Sequence, residues 1–580
     1  MSLVRKFSTW VHLLTHKFAN SVKRFPEAAF CAAATVTLLI LINHWRAPEE
    51  TFKALSRITM TLALGFPLTL ALKVFAEQYA KQYRKLPFLL FPLVLVFLLA
   101  YFSCLLKEVN TVTISRYVAY SLVCYLSFLF IPHLANGKHF VLYVLDLFTK
   151  FCVTYLYTVT LYLGAVAILL TINLLFTVQI SSKLYYDLWL LSAGLFAPIS
   201  FLGEIPDPTE TYEPIDYPSV LRVLFVNLLI PLVSLYTIIL YVYFAKILIT
   251  QTWPAGIVGH LVLWYALFST LLLFVLQPLR TQNIITKRFT SLFPWIILPL
   301  IAMMFVAMGK RIAEYGLTEN RYYVLAAGFW VTGCMFYYGL SRRPRNVLLP
   351  LSFALIAFLV VTGPWNSFSL AKHSQNSRFV ALLNKYELLE DGKIIPRPDL
   401  PSEAKYQISS VIAYFQDNHS LREISILPDD FTISDMEKVF GFPFTRKRNL
   451  GRDGREHFYY QLPDEERLLS LDGYDLFVDL TGIYAEKKIA KNDFYEITYS
   501  EPEKVLVIRE NNRELYSKNI ADLFEKEGII SDSAWQPIIK DQNVNLHLRF
   551  LFTQVWGWKD PHSGELNIEG VDFYLFIGKR

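Results

Sequence analysis

Eleven stretches of about 20 mostly apolar residues follow one another in the first 365 positions, and they constrain this chain more than anything else in it. A helix rises 1.5 Å per residue and the hydrocarbon core of a bilayer is about 30 Å thick, so each stretch is long enough to cross a membrane. They lie near 28–45, 55–76, 86–106, 115–135, 151–178, 184–203, 220–249, 256–276, 291–309, 322–340 and 347–364. The connections between them are short. The stretches at 55–76 and 184–203 are the weakest, because Arg57 and Lys73 interrupt the first and Asp187 and Pro198 the second. The expected fold is an α-helical polytopic bundle of about eleven spans, followed by an α+β soluble domain.

Charge divides the chain at the same place. Residues 1–365 hold 28 Lys and Arg against 14 Asp and Glu, whereas the remainder holds 27 against 35. The net +6 of the whole chain describes neither part. This pattern excludes a disordered chain, a small disulfide scaffold and an ordinary cytosolic enzyme. All five cysteines, Cys31, Cys104, Cys124, Cys152 and Cys334, fall in the apolar stretches, so no disulfide is expected after residue 365.

Three regions follow. Residues 1–27 place Phe7, Val11, Leu14, Phe18, Val22 and Phe25 at helical spacing among Arg5, Lys6, Lys17, Lys23 and Arg24, which reads as a basic amphipathic segment on an anionic membrane surface. Residues 28–365 form the transmembrane domain. With the N-terminus in the cytoplasm, the inner segments carry seventeen Lys and Arg and the outer ones ten, the asymmetry expected of cytoplasmic loops. An odd number of spans then makes residues 366–580 an extracytoplasmic α+β domain. There, helical patterns at Ser377–Leu389, Ser402–Phe415 and Thr432–Phe440 precede strand patterns at 456–461, 476–480, 494–499, 504–509, 545–555 and 571–577, with a helix expected at 520–526.

The stretch from Glu204 to Pro278 carries Tyr217-Pro218, an apolar segment with Pro231, Tyr236, Tyr241, Tyr243 and Lys246, and then Trp253-Pro254-Ala255-Gly256. It resembles bacterial multi-pass proteins grouped as domain of unknown function 4153, as does the plan of many spans followed by a soluble region. The resemblance extends over about residues 30–390. It implies a multi-pass protein of the bacterial cytoplasmic (inner) membrane and transfers no catalytic residue.

Few residues suggest chemistry. In the seventh stretch Asn227, Pro231, Ser234 and Tyr241 stand at i, i+4, i+7 and i+14 on one face of a helix, with Lys246 near its outer end. Polar groups inside a bilayer face the bundle interior, so these residues are candidates for an intramembrane polar path, or simply for interhelical hydrogen bonds beside a proline kink. Between the sixth and seventh stretches Glu204, Asp207, Glu210, Glu213 and Asp216 alternate with prolines, a candidate cation- or partner-binding loop whose spacing matches no known cage. Glu49 and Glu50 just outside the first span are the positions a transferase acting on a lipid-linked substrate would use. His133 and His139 lack ligand companions, and no metal site is expected.

After residue 365 there is no His-Glu-x-x-His, phosphate-binding loop, Gly-x-Ser-x-Gly or dinucleotide fingerprint, and no cofactor is implied. Arg446-Lys447-Arg448 with Arg452 and Arg455 forms a basic patch, but no nucleic acid is expected as a partner. The expected partners are the lipid bilayer and an envelope protein bound through residues 366–580. The function expected is a non-catalytic scaffold, sensor or envelope assembly factor, with a transporter around the seventh span or a lipid-substrate transferase as alternatives. Enzymatic activity is left open.

Overall fold

The computed structural model describes residues 18–45, 48–79, 86–134, 137, 139–176, 180–207, 217–250, 257–445, 449–450, 456–462, 471, 473–481, 487–527, 530–531, 534–535, 537–559 and 566–579. Arg446, Lys447, Arg448, Arg452 and Arg455 of the basic patch and most of the amphipathic N-terminal segment lie outside the described residues.

Eleven apolar helices form in the first part: α1 (Pro26–His44), α2 (Glu49–Tyr79), α3 (Leu86–Ala100), α4 (Thr111–Phe130), α5 (Phe140–Phe176), α6 (Ser182–Leu202), α7 (Ser219–Thr250), α8 (Ile257–Leu276), α9 (Ile284–Tyr315), α10 (Glu319–Leu340) and α11 (Leu348–Val361). Among the described residues nine of these are long and apolar enough to cross a membrane. The helices in the third and eleventh stretches are apolar but shorter. Their surface is apolar as well: α5 presents Leu163, Ile168 and Leu174 outward, the last 79% exposed. A helix wet on that face would leave a large apolar area in water, so a hydrocarbon surrounding is what makes this bundle stable.

Both weak stretches form helices, and in each a charged residue finds partners. Arg57 donates through Nε to the Leu106 carbonyl at 2.6 Å and lies over the Phe102 ring. It thereby satisfies carbonyls at the end of the third helix, where Tyr101–Leu105 widens into a π turn. Asp187 accepts from Asn43 Nδ2 at 2.8 Å and faces His44 Nε2 at 2.5 Å. Such contacts tie helix ends together in an alternating pattern. Arg24, before α1, forms a two-point pair with Glu77 near the end of α2, at 3.2 and 2.9 Å, and donates to the Ile205 carbonyl after α6 at 2.7 Å. At the opposite ends, His44 of α1 meets Asp187 of α6.

The chain separates into two compact units, residues 1–381 with 414–429, and residues 382–413 with 430–580. In the expected soluble region the first helix, α12 (Ser367–Lys385), begins ten residues earlier than its amphipathic pattern suggests. It ends before Asp391-Gly392, which instead turns the hairpin of β1 (Leu389–Glu390) and β2 (Lys393–Ile394). Both turn residues have positive φ, 48° and 76°, the geometry that lets a two-residue loop follow the strand twist. Next come α13 (Ser402–Asn418) and α14 (Met436–Phe440).

The second unit is built on two antiparallel sheets. One has the order β6 (Lys487–Lys491), β7 (Tyr495–Ser500), β8 (Val505–Glu510), β9 (Arg513–Asn519). The other has the order β3 (Asn449–Leu450), β4 (Glu456–Gln461), β13 (Leu546–Lys559), β14 (Leu566–Lys579), β5 (Leu476–Asp479), with β12 (Ile538–Gln542) also paired to β13, and β10 (Ile530–Ser531) and β11 (Ala534–Trp535) pair only with each other among the described residues. Ile497, Tyr499, Leu506 and Ile508 of the first sheet and Phe550, Phe552, Phe573 and Leu575 of the second share one core, closed by Phe524 of the short helix α15 (Ala521–Glu527). Strand alternation supplies these inward positions. Inside the same unit Lys488 is 2% exposed; its ammonium donates to the Leu480 and Val571 carbonyls, both at 3.1 Å, and to Asp572 Oδ1 at 2.7 Å. Lysine reads as a surface residue in sequence, and this burial was not foreseen.

Candidate functional site

Each polar residue of α7 has a definite place. Val223–Leu229 is a π turn that precedes Pro231, so the proline's missing N–H falls where the backbone ladder is already widened. Asn227 is exposed, on the side of the helix away from the buried row Val226, Ile230, Val233, Thr237, Leu240 and Phe244. Ser234 is half-buried and donates to its own Ile230 carbonyl at 2.8 Å. The Tyr241 hydroxyl donates to the Ile296 carbonyl of α9 at 2.6 Å, and Lys246 is exposed. The polar group that α7 turns inward is Thr237, which bonds to the Tyr265 hydroxyl of α8 and to the Val233 carbonyl. Thr237 stands i+3 from Ser234 and i−4 from Tyr241 in the same α-helix, so ordinary helical spacing already places it beside those candidates; the π turn displaces only Asn227 relative to them.

Of the acidic loop, Glu204 and Asp207 are described, while Glu210, Glu213 and Asp216 lie outside the described residues. The loop leaves α6 under the Arg24 guanidinium, which holds the Ile205 and Pro206 carbonyls. Glu49 and Glu50 both pair with Lys53 on the exposed first turn of α2, at 2.7 and 3.7 Å. Among the described residues no group of three or more His, Cys, Asp or Glu is arranged to hold a metal ion.

A better-formed site lies at the ends of several helices of the first unit. A cavity of about 250 Å³ is bounded by Thr111, Val112 and Ser115 in the first turns of α4, and by Thr318, Glu319, Asn320 and Tyr323 at the start of α10. Phe368 of α12 and Tyr414 and Asn418 at the end of α13 complete the wall. Behind it is a buried polar network. Glu319 Oε1 accepts from the Tyr414 hydroxyl at 2.8 Å and faces His419 Nε2 at 2.7 Å, and Tyr414 and His419 are themselves 3.0 Å apart. The other ring nitrogen of His419 stands 3.8 Å from Glu423, which pairs with Lys372 at 3.0 Å. Burial, then the charges of Glu319 and Glu423, push the Tyr414 hydroxyl well above the ordinary tyrosine range. Asn376 clasps the same segment, donating to the Glu423 carbonyl at 2.9 Å and accepting from the Ser425 N–H at 3.1 Å. No local motif marks these residues: Glu319 and His419 are 100 positions apart.

A second cavity, of about 370 Å³ and more open, belongs to the β-rich unit between the edge strands β9 and β12. Tyr516 and Lys518 both reach Asp541 Oδ2, at 2.6 and 2.7 Å, and Asn543 donates to the Leu515 carbonyl at 2.8 Å. Burial raises the Asp541 carboxyl, but the bonds from Lys518 and Tyr516 outweigh it and hold that carboxyl below its usual range.

A bundle of apolar helices with apolar faces turned outward, followed by a β-rich unit, defines a multi-pass membrane protein. Residues 29–379 match the model of the family described as a domain of unknown function (DUF4153), and the chain belongs to that family. It is also similar to the uncharacterised protein PM1469 of Pasteurella multocida (strain Pm70), at 23% identity over 407 residues, covering 69% of this chain and 66% of that protein. The chain thus spans about two thirds of the length of that curated relative. No solved structure matches.

Proposed function

We propose that this protein is a non-catalytic membrane scaffold, sensor or envelope assembly factor of the bacterial cytoplasmic membrane, whose β-rich unit binds a protein partner. The N-terminus lies in the cytoplasm and the C-terminal domain outside it. The observation that carries this reading is where two cavities among the described residues lie: one at helix ends and one between two sheet edges. A transport path requires polar groups open to a cavity at mid-membrane. Ser234, Thr237 and Tyr241 instead spend their hydroxyls on backbone carbonyls or a neighbouring tyrosine. Unpaired strand edges such as those of β9 and β12 are surfaces that partners use. The excess of Lys and Arg in alternate connections supports the orientation.

The test is in-cell photo-crosslinking from Ser517, at the groove between β9 and β12. The reading predicts a discrete adduct that Asp541→Arg abolishes while the protein stays folded and abundant. An uncrosslinked band only, together with solute uptake by proteoliposomes that Asn227→Ala and Ser234→Ala eliminate, would replace it with transport.

A further inference from the structure

We propose that the helix-end cavity of the first unit is a binding site for an organic ammonium group, independent of any partner on the β-rich unit. The lining decides the sign of the ligand. Among the described residues its one charged side chain is the Glu319 carboxylate, and no Lys or Arg is in the lining. The Arg116 guanidinium lies over the Phe368 ring at 5.3 Å from its centroid, so that face already holds a cation and Tyr323 and Tyr414 are the rings left to a ligand. Lys372, the ammonium closest to the network behind the wall, is spent on Glu423. Asn320 and Asn418 add amide oxygens, and hydroxyls supply most of the rest.

Three aromatic rings, Tyr323, Phe368 and Tyr414, belong to the same wall. A carboxylate beside aromatic faces is the arrangement that holds an ammonium, because ring faces carry negative partial charge and a desolvated cation gains from them. At the Tyr414 hydroxyl the charges of Glu319 and Glu423 both disfavour ionisation. Two anchored partners hold Glu319 itself, so the carboxylate is positioned before any ligand arrives. The cavity's 250 Å³ is below the about 300–1,000 Å³ typical of drug-sized ligands, which suits a headgroup-sized amine. Such an amine has two sources, a lipid headgroup or a small soluble amine.

The experiment is thermal unfolding of the purified full-length chain in detergent, with millimolar ethanolamine, tetramethylammonium, glucose or inorganic phosphate. The unfolding midpoint is expected to rise by several degrees with the two amines and not with glucose or phosphate, since a ligand bound to the native state alone stabilises it by mass action. Ser115→Phe, which fills the cavity without touching the Glu319 bonds, is expected to remove the response. Thr111→Trp, plugging the cavity from its exposed rim, serves the same purpose if the first variant fails to fold. In nanodiscs, a higher midpoint in phosphatidylethanolamine than in phosphatidylglycerol, with no further rise on adding ethanolamine, identifies the headgroup as the source. Equal midpoints with an ethanolamine response identify a soluble amine. No shift with either amine, a shift with phosphate or glucose instead, or an amine shift that survives both filling variants would overturn the proposal.

Discussion

His419 Nε2 lies 2.7 Å from Glu319 Oε1, which fixes the segment after α13 to the start of α10 within the first unit. The Tyr414 hydroxyl shares that oxygen, and the His419 side chain is 3% exposed. Removing the carboxylate takes away the acceptor the two share and leaves them only each other. Glu319→Ala is therefore expected to destabilise the first unit by about 2 kcal/mol or more, read as a fall in the unfolding midpoint of the purified protein. Glu319→Gln, which keeps an acceptor for Tyr414, is expected to lose less.

Lys488 is held by Asp572 and two carbonyls in the interior of the second unit. Breaking a buried pair by deleting one member leaves an uncompensated charge and costs about 3–5 kcal/mol. Lys488→Met should lower the stability of the β-rich unit by that order. Adding Asp572→Asn should recover part of the loss, and chemical denaturation of the three proteins measures it.

Acid should weaken the junction of β9 and β12. The folded Asp541 carboxyl is held below its ordinary value, net of burial, by Lys518 and Tyr516. The unfolded chain therefore binds the proton more readily, so the stabilisation is fully present above the ordinary Asp value of about 4 and disappears as pH falls through the lower folded value. Unfolding midpoints followed downward from pH 6 should drop below about pH 4, and Lys518→Met should flatten that acid-dependent part.

Trp556 lies across Gly570 on the neighbouring strand β14. A Cβ at that glycine would sit 2.2 Å from the indole. Gly570→Ala is expected to destabilise the β-rich unit by about 1–3 kcal/mol through overpacking. Trp556→Ala in the same chain should relieve that clash, so the two changes will be strongly non-additive in a double-mutant cycle.

Hydrophobic run length is a local property, so the apolar helices were legible, including the two weak ones. The sequence shows that Arg57 and Asp187 interrupt their stretches but not that Leu106, Asn43 and His44 provide their hydrogen-bonding contacts, because those contacts form only on packing. Strand periodicity placed β4, most of β13 and half of β14, since alternation survives without tertiary information. It missed β6 and β9, whose Lys487-Lys488 and Arg513-Glu514 starts look like solvated loop. The cavity at Glu319 was invisible for a similar reason: it joins α4, α10, α12 and α13, and no spacing along the chain relates them. On α7 the π turn before Pro231 changes where Asn227 falls relative to the residues after it, which helical spacing in the sequence does not show.

The orientation of the eleven helices is tested most directly by paired reporter fusions, an alkaline phosphatase active only outside the cytoplasm and a fluorescent protein active only inside it. Fusions after Arg343, between α10 and α11, and after Arg580 are decisive. The account predicts fluorescence without phosphatase activity at Arg343, and phosphatase activity without fluorescence at Arg580. The reverse pattern, or the same side for both positions, would contradict it.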